Sequence, residues 1–449
     1  MARIYPFRAL RYNPLQVKLA DVVTQPYDKI TPAMQQAYYQ RSPYNLVRII
    51  LGLPELFDGK GTQDVYRRAA DDFRAWRQEG ILTQESEPCI YAYSQTFRIP
   101  GAEAGQEALC ERRGFIALGE LYDYADKVVF RHEQTLSRPK SDRLNLLRAT
   151  HAHFGQIFML YSDPGRTADQ LLYRSTAAPD IEVTDEYEVV HRVWRVSDPA
   201  TINLMTTALE DKKLIIADGH HRYETALQYA RERAPQGGGS QVERPSGAAP
   251  QPLYPEAAAM MTFVNMDQPG LVILPTHRVI HGLKNFDAVK FVESVRRYFT
   301  VEAMATADSA ALTARLHAET GKTTFVAVTA AGSFLLRAVP GAADAALRDV
   351  PERQRGLEVD TVQLHRLILE QTLGITPEAV AEQRNIRYVR DAAQAVALVA
   401  AKEADVAFLM NPVTLDTLRE VAFAGEVLPQ KSTDFYPKLL SGLTIYAMD

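Results

Sequence analysis

Two patterns of hydrophobic residues alternate along this chain of 449 residues, one typical of buried strands and one typical of helices. Short apolar runs such as 214–217 predict buried strands, and longer segments such as 62–80 repeat apolar residues at helical spacing. In the first part of the chain, the predicted strands are 44–51, 88–97, 113–119, 156–161, 214–217, 258–265 and 270–274, and the predicted helices are 62–80, 140–152 and 223–233. In the last part, the pattern predicts strands at 301–302, 322–328, 332–338, 386–389 and 406–410 and helices at 285–300, 309–320, 357–373 and 391–402.

Changes in this pattern divide the chain into three predicted domains. Residues 1–85, rich in proline and aromatic side chains, form an N-terminal α/β elaboration, and residues 86–282 form the central core. Residues 234–255 are rich in Gly, Pro, Ser and Gln and predict a flexible loop inside that core. Residues 283–449 form a regular C-terminal module. The mixture of strands and helices predicts the α+β class.

Composition narrows the class of protein. Hydrophobic residues make up 46% of the chain and charged residues 23%, as in soluble globular proteins. The net charge of −5 argues against a nucleic-acid surface, and the apolar runs are too short for a membrane span. The N-terminal residues lack the apolar segment of a secretion signal, which predicts a cytoplasmic protein. Cys89 and Cys110 are too few for a disulfide framework or a cysteine metal cluster.

The segment with the most candidate functional side chains follows the apolar run 214–217. Residues 218–222, Asp-Gly-His-His-Arg, join this predicted strand to the next predicted helix. The backbone N–H groups at a helix N-terminus attract anions, and the fork of Arg222 suits phosphate oxygens. Asp218 has the carboxylate to hold a divalent metal or to orient a donor. The alternative is an ordinary turn with charged surface residues, but the crowding of these side chains favours a phosphate site.

Other loops carry candidate side chains, each with a structural alternative. Asp28 is either a substrate contact or a turn former, and Arg48 either reaches an anion or pairs with an acid. Glu133 lies in a loop before the helix at 140–152, and on its own it is an exposed carboxylate. The preceding histidine does not open a zinc-protease helix, because Leu136 stands where the second histidine is needed.

Two later segments add cationic and hydroxyl side chains that are candidates for phosphate contacts. The first follows a predicted strand and either faces the same pocket as the 218–222 turn or serves the fold. The second is a loop without the glycines of a phosphate loop, and it is either a second anion contact or a solvated loop. The candidate residues are His277, Arg278, Lys431, Ser432 and Thr433.

These motifs carry two resemblances. The 218–222 turn resembles the phosphate-binding turn of the ParB/sulfiredoxin-like superfamily, in the form found in its free-serine kinases. Nearly the whole chain resembles the DUF1015 family, a domain of unknown function. The second resemblance rests on Gln25-Pro26-Tyr27-Asp28, His132-Glu133-Gln134-Thr135, the 218–222 turn, Leu274-Pro275-Thr276-His277-Arg278 and the segment from Lys431 to Lys438.

The resemblance to the free-serine kinases implies a role for each candidate. It implies a ParB/sulfiredoxin-like phosphate-binding core and a glutamate, after an early strand, that accepts the serine proton. The order here, Glu133 followed by a helix, a strand and the 218–222 turn, matches that arrangement. The implied roles are catalysis for Glu133, Asp218 and His220, metal binding for Asp218, phosphate contacts for Gly219, His221, Arg222, His277, Arg278, Lys431, Ser432 and Thr433, and substrate contacts for Asp28, Arg48 and His132.

The sequence therefore predicts a phosphotransferase that converts free L-serine to O-phosphoserine, with ATP, ADP or pyrophosphate as donor and Mg²⁺ as cofactor. Neither nucleic acid nor a membrane is an expected partner, and the oligomeric state stays open, with a homodimer among the candidates. Two alternatives are a nucleotide-binding switch of the CTP type and a non-catalytic protein that binds a phosphorylated metabolite. Sulfiredoxin chemistry is not expected, because the turn has histidines where that chemistry needs a cysteine.

Overall fold

The computed structural model describes residues 2–53, 63–100, 109–133, 137–173, 177–235, 249–319, 321, 323–357 and 359–449. Contacts within the chain separate two compact units. The first unit comprises Met1–Phe130, Leu136–Leu271 and Pro437–Asp449, and the second unit comprises Arg131–Thr135 and Val272–Tyr436. The chain thus leaves the first unit twice and returns to it twice.

This division differs from the three predicted domains. Residues 1–85 do not stand apart, because their apolar side chains share one core of the first unit with Leu146, Phe154 and Ile445. The second unit begins at Val272 rather than at residue 283, since strand 272–274 pairs with strand 434–436 of the same unit. Both differences come from pairings between distant parts of the chain.

The first unit is a mixed sheet with helices packed around it. Its strands are β1 (Ile4–Tyr5), β2 (Leu10–Tyr12), β3 (Leu82–Gln84), β4 (Ile90–Phe97), β5 (Cys110–Glu120), β6 (Val129–Phe130), β7 (Ala152–His153), β8 (Ile157–Tyr161), β9 (Ile181–Thr184), β10 (Val190–Val196), β11 (Leu214–Asp218), β12 (Ala258–Asn265) and, after the second unit, β21 (Tyr446–Ala447). Its helices are α1 (Leu19–Val22), α2 (Pro32–Arg41), α3 (Val47–Ile50), α4 (Gln63–Gln78), α5 (Ser137–Thr150), α6 (Thr167–Leu172), α7 (Pro199–Glu210) and α8 (His220–Arg233).

The sheet places the 218–222 turn next to one of its edges. Within the described residues, nine strands form it in the order β6-β11-β8-β12-β5-β4-β10-β9, with β1 beside β5. β12 runs parallel to β8 and β11 runs parallel to β6, whereas β8 and β11 are antiparallel. Every residue of β8 and β12 is buried, as expected for central strands covered on both faces. Asp218 ends β11, which is the neighbour of the edge strand β6.

One strand prediction in the first unit is wrong. Residues 44–51 contain the short helix α3 instead, and the side chain of Asn45 forms two hydrogen bonds just before this helix. Asn45 Oδ1 accepts the N–H of Val47 at 3.0 Å, and Asn45 Nδ2 donates to the carbonyl of Asp21 at 2.8 Å. These bonds start a helical turn whose apolar residues are buried in the core.

The second unit is an antiparallel sheet with helices. Its strands are β13 (Val272–Leu274), β14 (His277–Ile280), β15 (Phe299–Met304), β16 (Thr324–Thr329), β17 (Gly332–Ala338), β18 (Ile386–Val389), β19 (Val406–Leu409) and β20 (Asp434–Tyr436). Its helices are α9 (Ala288–Val295), α10 (Ser309–His317), α11 (Glu352–Gly356), α12 (Asp360–Gln363), α13 (Pro377–Ala381), α14 (Ala392–Ala400) and α15 (Leu415–Phe423), and a π-helical segment (Leu364–Glu370) continues α12.

Six of the described strands form the main sheet of the second unit, in the order β15-β17-β16-β19-β14-β18. Two separate apolar clusters contain its buried side chains, one with Phe325 and Phe408 and the other with Val326 and Ala407. Because neighbours along a strand point to opposite faces, the sheet is covered on both sides. The predicted α+β class is confirmed. Among the described helices, none has an apolar stretch long enough to cross a bilayer.

Candidate functional site

The 218–222 turn joins the end of β11 to the start of α8. Gly219 has a φ of 91°, a left-handed conformation that glycine adopts without steric cost, and it is the N-cap of the helix. Its N–H donates to Asp218 Oδ1 at 2.9 Å, and its carbonyl accepts the first helical N–H at 2.9 Å. The helix therefore begins at His220, earlier than the sequence pattern predicts. His220 is buried and His221 is half-buried in its first turn.

Cationic side chains approach the carboxylate of Asp218. The ammonium of Lys438 lies 3.4 Å from Asp218 Oδ2, and the guanidinium of Arg222 lies 3.8 Å from the same oxygen. Burial lowers the pKa of the fully buried Arg112 to about 10, and the charges of Tyr93 and Asp218 act in the opposite direction. Positive charge beside a helix N-terminus suits a ligand with several negative charges.

Arg222 is folded back over the turn. Its guanidinium donates to the carbonyl of Gln156, just before β8. A Cβ atom on Gly219 would lie 3.0 Å from Arg222 Nε, and one on Gly155 would lie 3.3 Å from Arg222 NH1. A guanidinium has five N–H donors, more than these contacts use. Glycine at both positions therefore leaves the space in which Arg222 crosses the turn.

Replacing Gly219 by Ala is expected to destabilise the protein by about 1–2 kcal/mol, because a residue with a Cβ is strained at positive φ. It should also weaken pyrophosphate binding, since the added methyl displaces Arg222. Gly80→Ala is the matched control, because Gly80 has a φ of 72° and its Cβ would meet only the end of the Gln16 side chain at 3.4 Å. Urea unfolding and calorimetry measure the two effects. Equal pyrophosphate binding by both variants would contradict the role given to Gly219.

The loop that contains Asp28 lies beside the turn within the first unit. Tyr27 and Asp28 belong to a single 3₁₀ turn, and Arg143 of α5 lies 4.1 Å from the centre of the Tyr27 ring. Burial raises the pKa of Tyr27, as does the charge of Asp28, and the charges of Arg222 and Asp218 also act on it. The structure therefore brings the Asp28 loop, α5 and the 218–222 turn together.

Arg48 lies in the first unit but serves the fold. Its guanidinium donates to the carbonyl of Tyr39 at 2.9 Å and to the carbonyl of Ser42 at 3.4 Å, and it lies 4.6 Å from the centre of the Tyr39 ring. These carbonyls are at the C-terminal end of α2, where a cation satisfies backbone acceptors. We therefore leave Arg48 out of the proposed substrate contacts.

In the second unit, His132 and Glu133 join the loop that follows α15. Glu133 forms an isolated parallel bridge with Leu428, and the N–H of Leu428 donates to the carbonyl of His132 at 2.8 Å. The ring of His132 is buried, and its Nε2 lies 2.7 Å from Thr433 Oγ1. The structure thus brings together His132 and Thr433, which are 301 positions apart in the sequence.

Arg278 extends this cluster of the second unit. Only 1% of Arg278 is exposed, and its guanidinium donates to the carbonyl of Lys431 at 3.0 Å. Burial lowers the pKa of Arg278 to about 10, and the charges of Tyr388 and Glu133 oppose this shift. The predicted candidates Glu133, Arg278 and Lys431 therefore lie in one neighbourhood.

His277 and Ser432 serve the fold of the second unit. His277 is 2% exposed, and its Nδ1 accepts the N–H of Met410 at 3.2 Å. Ser432 is 4% exposed, and its Oγ donates to the carbonyl of Pro429 at 2.6 Å. We therefore leave both residues out of the proposed phosphate contacts.

Acid is expected to destabilise the second unit through His277. Burial, together with the nearby charge of Arg278, lowers the pKa of His277 to about 4 from its ordinary value of 6.5. Between these two values the unfolded chain binds a proton that the folded protein does not. The free energy of unfolding therefore falls as the pH drops through this range, by up to about 3 kcal/mol from this residue.

Urea unfolding of the wild type and of His277→Asn, at about pH 7 and about pH 4.5, tests this prediction. Asparagine keeps an acceptor for the N–H of Met410 but does not titrate. We expect the variant to be less stable near neutrality and to lose less stability in acid. Equal losses in the two proteins would show that His277 does not control the acid response.

The sequence does not predict Tyr27 and Arg112 as candidate site residues, and it indicates Lys438 only as a cationic member of the segment from Lys431 to Lys438. Tyr27 and Lys438 stand inside motifs that were recognised, so their membership of those motifs was the available signal. Arg112 lies on β5 with no motif around it, and its complete burial depends on strand pairing. The sequence therefore contains nothing that would have identified Arg112 as a residue of the site, unlike Tyr27 and Lys438.

Asp218 is the metal ligand that the sequence predicts. Among the residues that the structure describes, no group of three or more His, Cys, Asp and Glu side chains could hold a metal ion. Mg²⁺ in phosphate sites commonly takes only one or two carboxylates and fills its other positions with phosphate oxygens and water. A single carboxylate therefore fits a Mg²⁺ that arrives with its phosphate ligand.

Residues 4–376 match the family model described as a protein of unknown function (DUF1015). The chain belongs to the DUF1015 family. A comparison with curated proteins finds no match to this DUF1015 chain.

Solved structures with some similarity to this DUF1015 chain include a free serine kinase in complex with AMP. The identity is 12% and the TM-score is 0.35, with 72% of this chain and 86% of that one covered. A conserved hypothetical protein from Pyrococcus furiosus has 14% identity and a TM-score of 0.33, with 72% and 90% covered. SbnI from Staphylococcus aureus, with a C-terminal truncation, has 10% identity and a TM-score of 0.34, with 73% and 85% covered. We draw no functional argument from values this low.

Proposed function

We propose that this DUF1015 protein is a phosphotransferase, a kinase that transfers a phosphoryl group from ATP, ADP or pyrophosphate to the hydroxyl of free L-serine. The observation that carries the proposal is the 218–222 turn, where Arg222 and Lys438 approach Asp218 at the N-terminus of α8. We further propose that the mixed sheet of the first unit is a ParB/sulfiredoxin-like phosphate-binding core. The resemblance of the turn supports this assignment.

The phosphate groups of the donor are placed at the 218–222 turn. The backbone N–H groups of the first turn of α8 and the helix dipole favour a negative ligand at this position. Arg222 and Lys438 now face the carboxylate of Asp218, and both side chains are long enough to turn toward a phosphate oxygen. Arg222 offers a planar fork and Lys438 a point charge, so the pair both orients and neutralises the donor.

Asp218 is the proposed ligand of Mg²⁺, with one carboxylate oxygen. The carboxylate of Asp218 would hold the Mg²⁺; its Oδ1 accepts the N–H of Gly219, and its Oδ2 lies nearest to Lys438 and Arg222. When bound, Mg²⁺ supplies charge neutralisation for the phosphates of the donor. Asp218 itself keeps its orientation through the bond to Gly219.

Glu133 is the proposed base that accepts the proton of the serine hydroxyl. A free serine hydroxyl is a weak nucleophile near neutral pH, so a carboxylate that takes its proton accelerates the transfer. The order of Glu133 and the turn along the chain supports this role. Within the second unit, the bridge to Leu428 fixes the backbone that carries Glu133.

Phosphorus NMR tests the proposal directly. The protein is incubated with Mg²⁺ and L-serine, with ATP, ADP or pyrophosphate in separate samples. We expect a phosphoserine resonance with at least one donor, and its loss in Arg222→Ala. If no sample gives phosphoserine while pyrophosphate still binds, the protein is a phosphate-binding protein without this activity. Binding and slow hydrolysis of CTP alone would indicate the switch function instead.

A further inference from the structure

A small cavity lies beside the 218–222 turn, entirely within the first unit. Its volume is about 70 Å³, and Arg222 forms part of its wall. By the same measure a water molecule needs roughly 10–15 Å³, so the cavity has room for about five waters. It can take one small group of a ligand, and the rest of that ligand must lie outside. Most of its wall is apolar and comes from Pro26, Ile50, Leu146, Leu147, Ala152 and Phe154.

The side chain of Thr225 is a polar group of this cavity that the fold does not use. Thr225 is on α8, one helical turn after Arg222, and it lines the cavity. It is 3% exposed, and within the described part of the chain its Oγ1 has no hydrogen-bond partner. A buried hydroxyl without a partner destabilises a folded protein by about 1–3 kcal/mol. Such a cost is expected where a ligand supplies the missing partner.

The wall contains two cationic side chains, Arg143 and Arg222, and each is paired with a carboxylate of the protein, which leaves the cavity suited to a neutral occupant. The lining includes no carboxylate among the described residues, so the α-ammonium group of an amino acid has no counter-ion there. Arg143 already donates to the carbonyl of Ile50 at 2.7 Å and is paired with Asp142. Burial lowers the pKa of His153 to about 4, so this wall residue is a neutral ring near pH 7.

Apolar walls with a few neutral hydrogen-bonding groups are typical of pockets that receive a flat heterocycle. Thr225 and Ser441 offer hydroxyls, and His153 offers an imidazole that stacks on Tyr446 with 7° between the planes. Arg222 lines the cavity and also approaches Asp218, so this side chain connects the cavity to the proposed phosphate site.

We propose that this cavity receives the base of a nucleoside phosphate whose phosphate groups lie at the 218–222 turn. The inference rests on the proposed phosphate role of that turn, and it selects a nucleotide over pyrophosphate as the natural donor. Thr225 is then a base contact, and the apolar residues of the wall cover the faces of the ring.

Calorimetric titration of the full chain with AMP, CMP, ribose 5-phosphate and pyrophosphate tests the proposal. We expect at least one nucleotide to bind roughly tenfold more tightly than ribose 5-phosphate, because only the nucleotide fills the cavity. Thr225→Val keeps the shape and removes the hydroxyl. It should weaken nucleotide binding roughly fivefold, the equivalent of one neutral hydrogen bond. Ribose 5-phosphate and pyrophosphate should bind Thr225→Val as they bind the wild type.

Two further variants separate a base contact from general damage. Thr206→Val removes a threonine of α7 whose Oγ1 donates to the carbonyl of Ile202 at 3.0 Å, so it should lose stability and keep nucleotide binding. Thr225→Val should keep or gain stability in urea, since no protein partner is lost. Ala152→Val narrows the cavity and should also weaken nucleotide binding without affecting pyrophosphate.

The outcomes separate this inference from the proposed kinase activity. Equal binding of nucleotides and ribose 5-phosphate, or unchanged nucleotide binding in Thr225→Val, overturns the base pocket. A uniform loss for all four ligands in Thr225→Val overturns it as well. In each of these cases, phosphoserine formation with pyrophosphate as the donor would still support the proposed kinase activity. Preferential nucleotide binding that depends on Thr225, without phosphoserine formation, would support the base pocket and contradict the proposed kinase activity.

Discussion

Replacing Glu133 by Gln is expected to slow phosphoserine formation by roughly 10²–10⁴-fold, the usual contribution of a general base. Glutamine keeps the size of the side chain but cannot accept the proton of the serine hydroxyl. The initial rate of phosphoserine formation, followed by phosphorus NMR, measures the effect. Pyrophosphate binding should be unchanged, because the phosphate role belongs to the 218–222 turn.

The matched control for this variant is Glu293→Gln on α9. The side chain of Glu293 is 78% exposed and pairs with Arg296 on the surface, so the rate of this variant should equal that of the wild type. Unchanged turnover in Glu133→Gln would remove the base role of Glu133. A loss of pyrophosphate binding in the same variant would show that Glu133 helps to build the phosphate site instead.

Replacing Arg222 by Lys is expected to weaken pyrophosphate binding by roughly 10- to 100-fold, because a charge-assisted bond from a planar fork contributes about 1.5–3 kcal/mol. Lysine keeps the positive charge but has no second donor to hold the carbonyl of Gln156 while it binds a phosphate. Calorimetry measures the dissociation constants, and phosphorus NMR measures the rate at saturating donor.

Arg148→Lys is the control for Arg222→Lys. Arg148 is on α5, is 46% exposed and pairs with Glu232 on the surface, where exchange of one cation for another has little effect. If Arg222→Lys binds pyrophosphate as tightly as Arg148→Lys does, charge alone is sufficient at this position. The geometric role proposed for Arg222 would then be wrong.

The sequence predicted the strand before the turn, the helix after it and the α+β class, because each depends on a local hydrophobic period. The start of α8 was misplaced for a local reason as well: the pattern does not show that Gly219 adopts a positive φ and caps the helix. The error at 44–51 has a similar origin, since the bonds of Asn45 outweigh the preference of the apolar residues for a strand.

Contacts between distant parts of the chain could not be predicted from the sequence. Nothing local to Lys438 indicates that its ammonium lies 3.4 Å from a carboxylate that precedes it by more than 200 positions. The complete burial of Arg112 depends in the same way on its strand neighbours. The two units differ from the predicted domains for this reason too, because the pairing of β13 with β20 joins residues far apart in sequence.

Long-range pairing also decides which contacts the candidate residues make within the fold. His277 and Arg278 are adjacent, and the sequence alone predicts a phosphate contact for each of them. The structure gives His277 a backbone N–H to accept, whereas Arg278 donates to the loop of Lys431 and senses the charge of Glu133. The contacts of two neighbouring side chains depend on the direction of each along β14. That direction is fixed by the strands on either side.

The return of Pro437–Asp449 to the first unit has a consequence for protein synthesis. These residues carry Lys438, their backbone accepts bonds from Arg112 and Gln95, and β21 pairs with β7. A ribosome makes them only after the entire second unit has been translated. Arg112 and Asp218 of the nascent first unit therefore lack these partners until residues 437–449 have left the exit tunnel. Completion of the proposed phosphate site therefore follows synthesis of the second unit, and a stop codon before residue 437 would leave that site without Lys438.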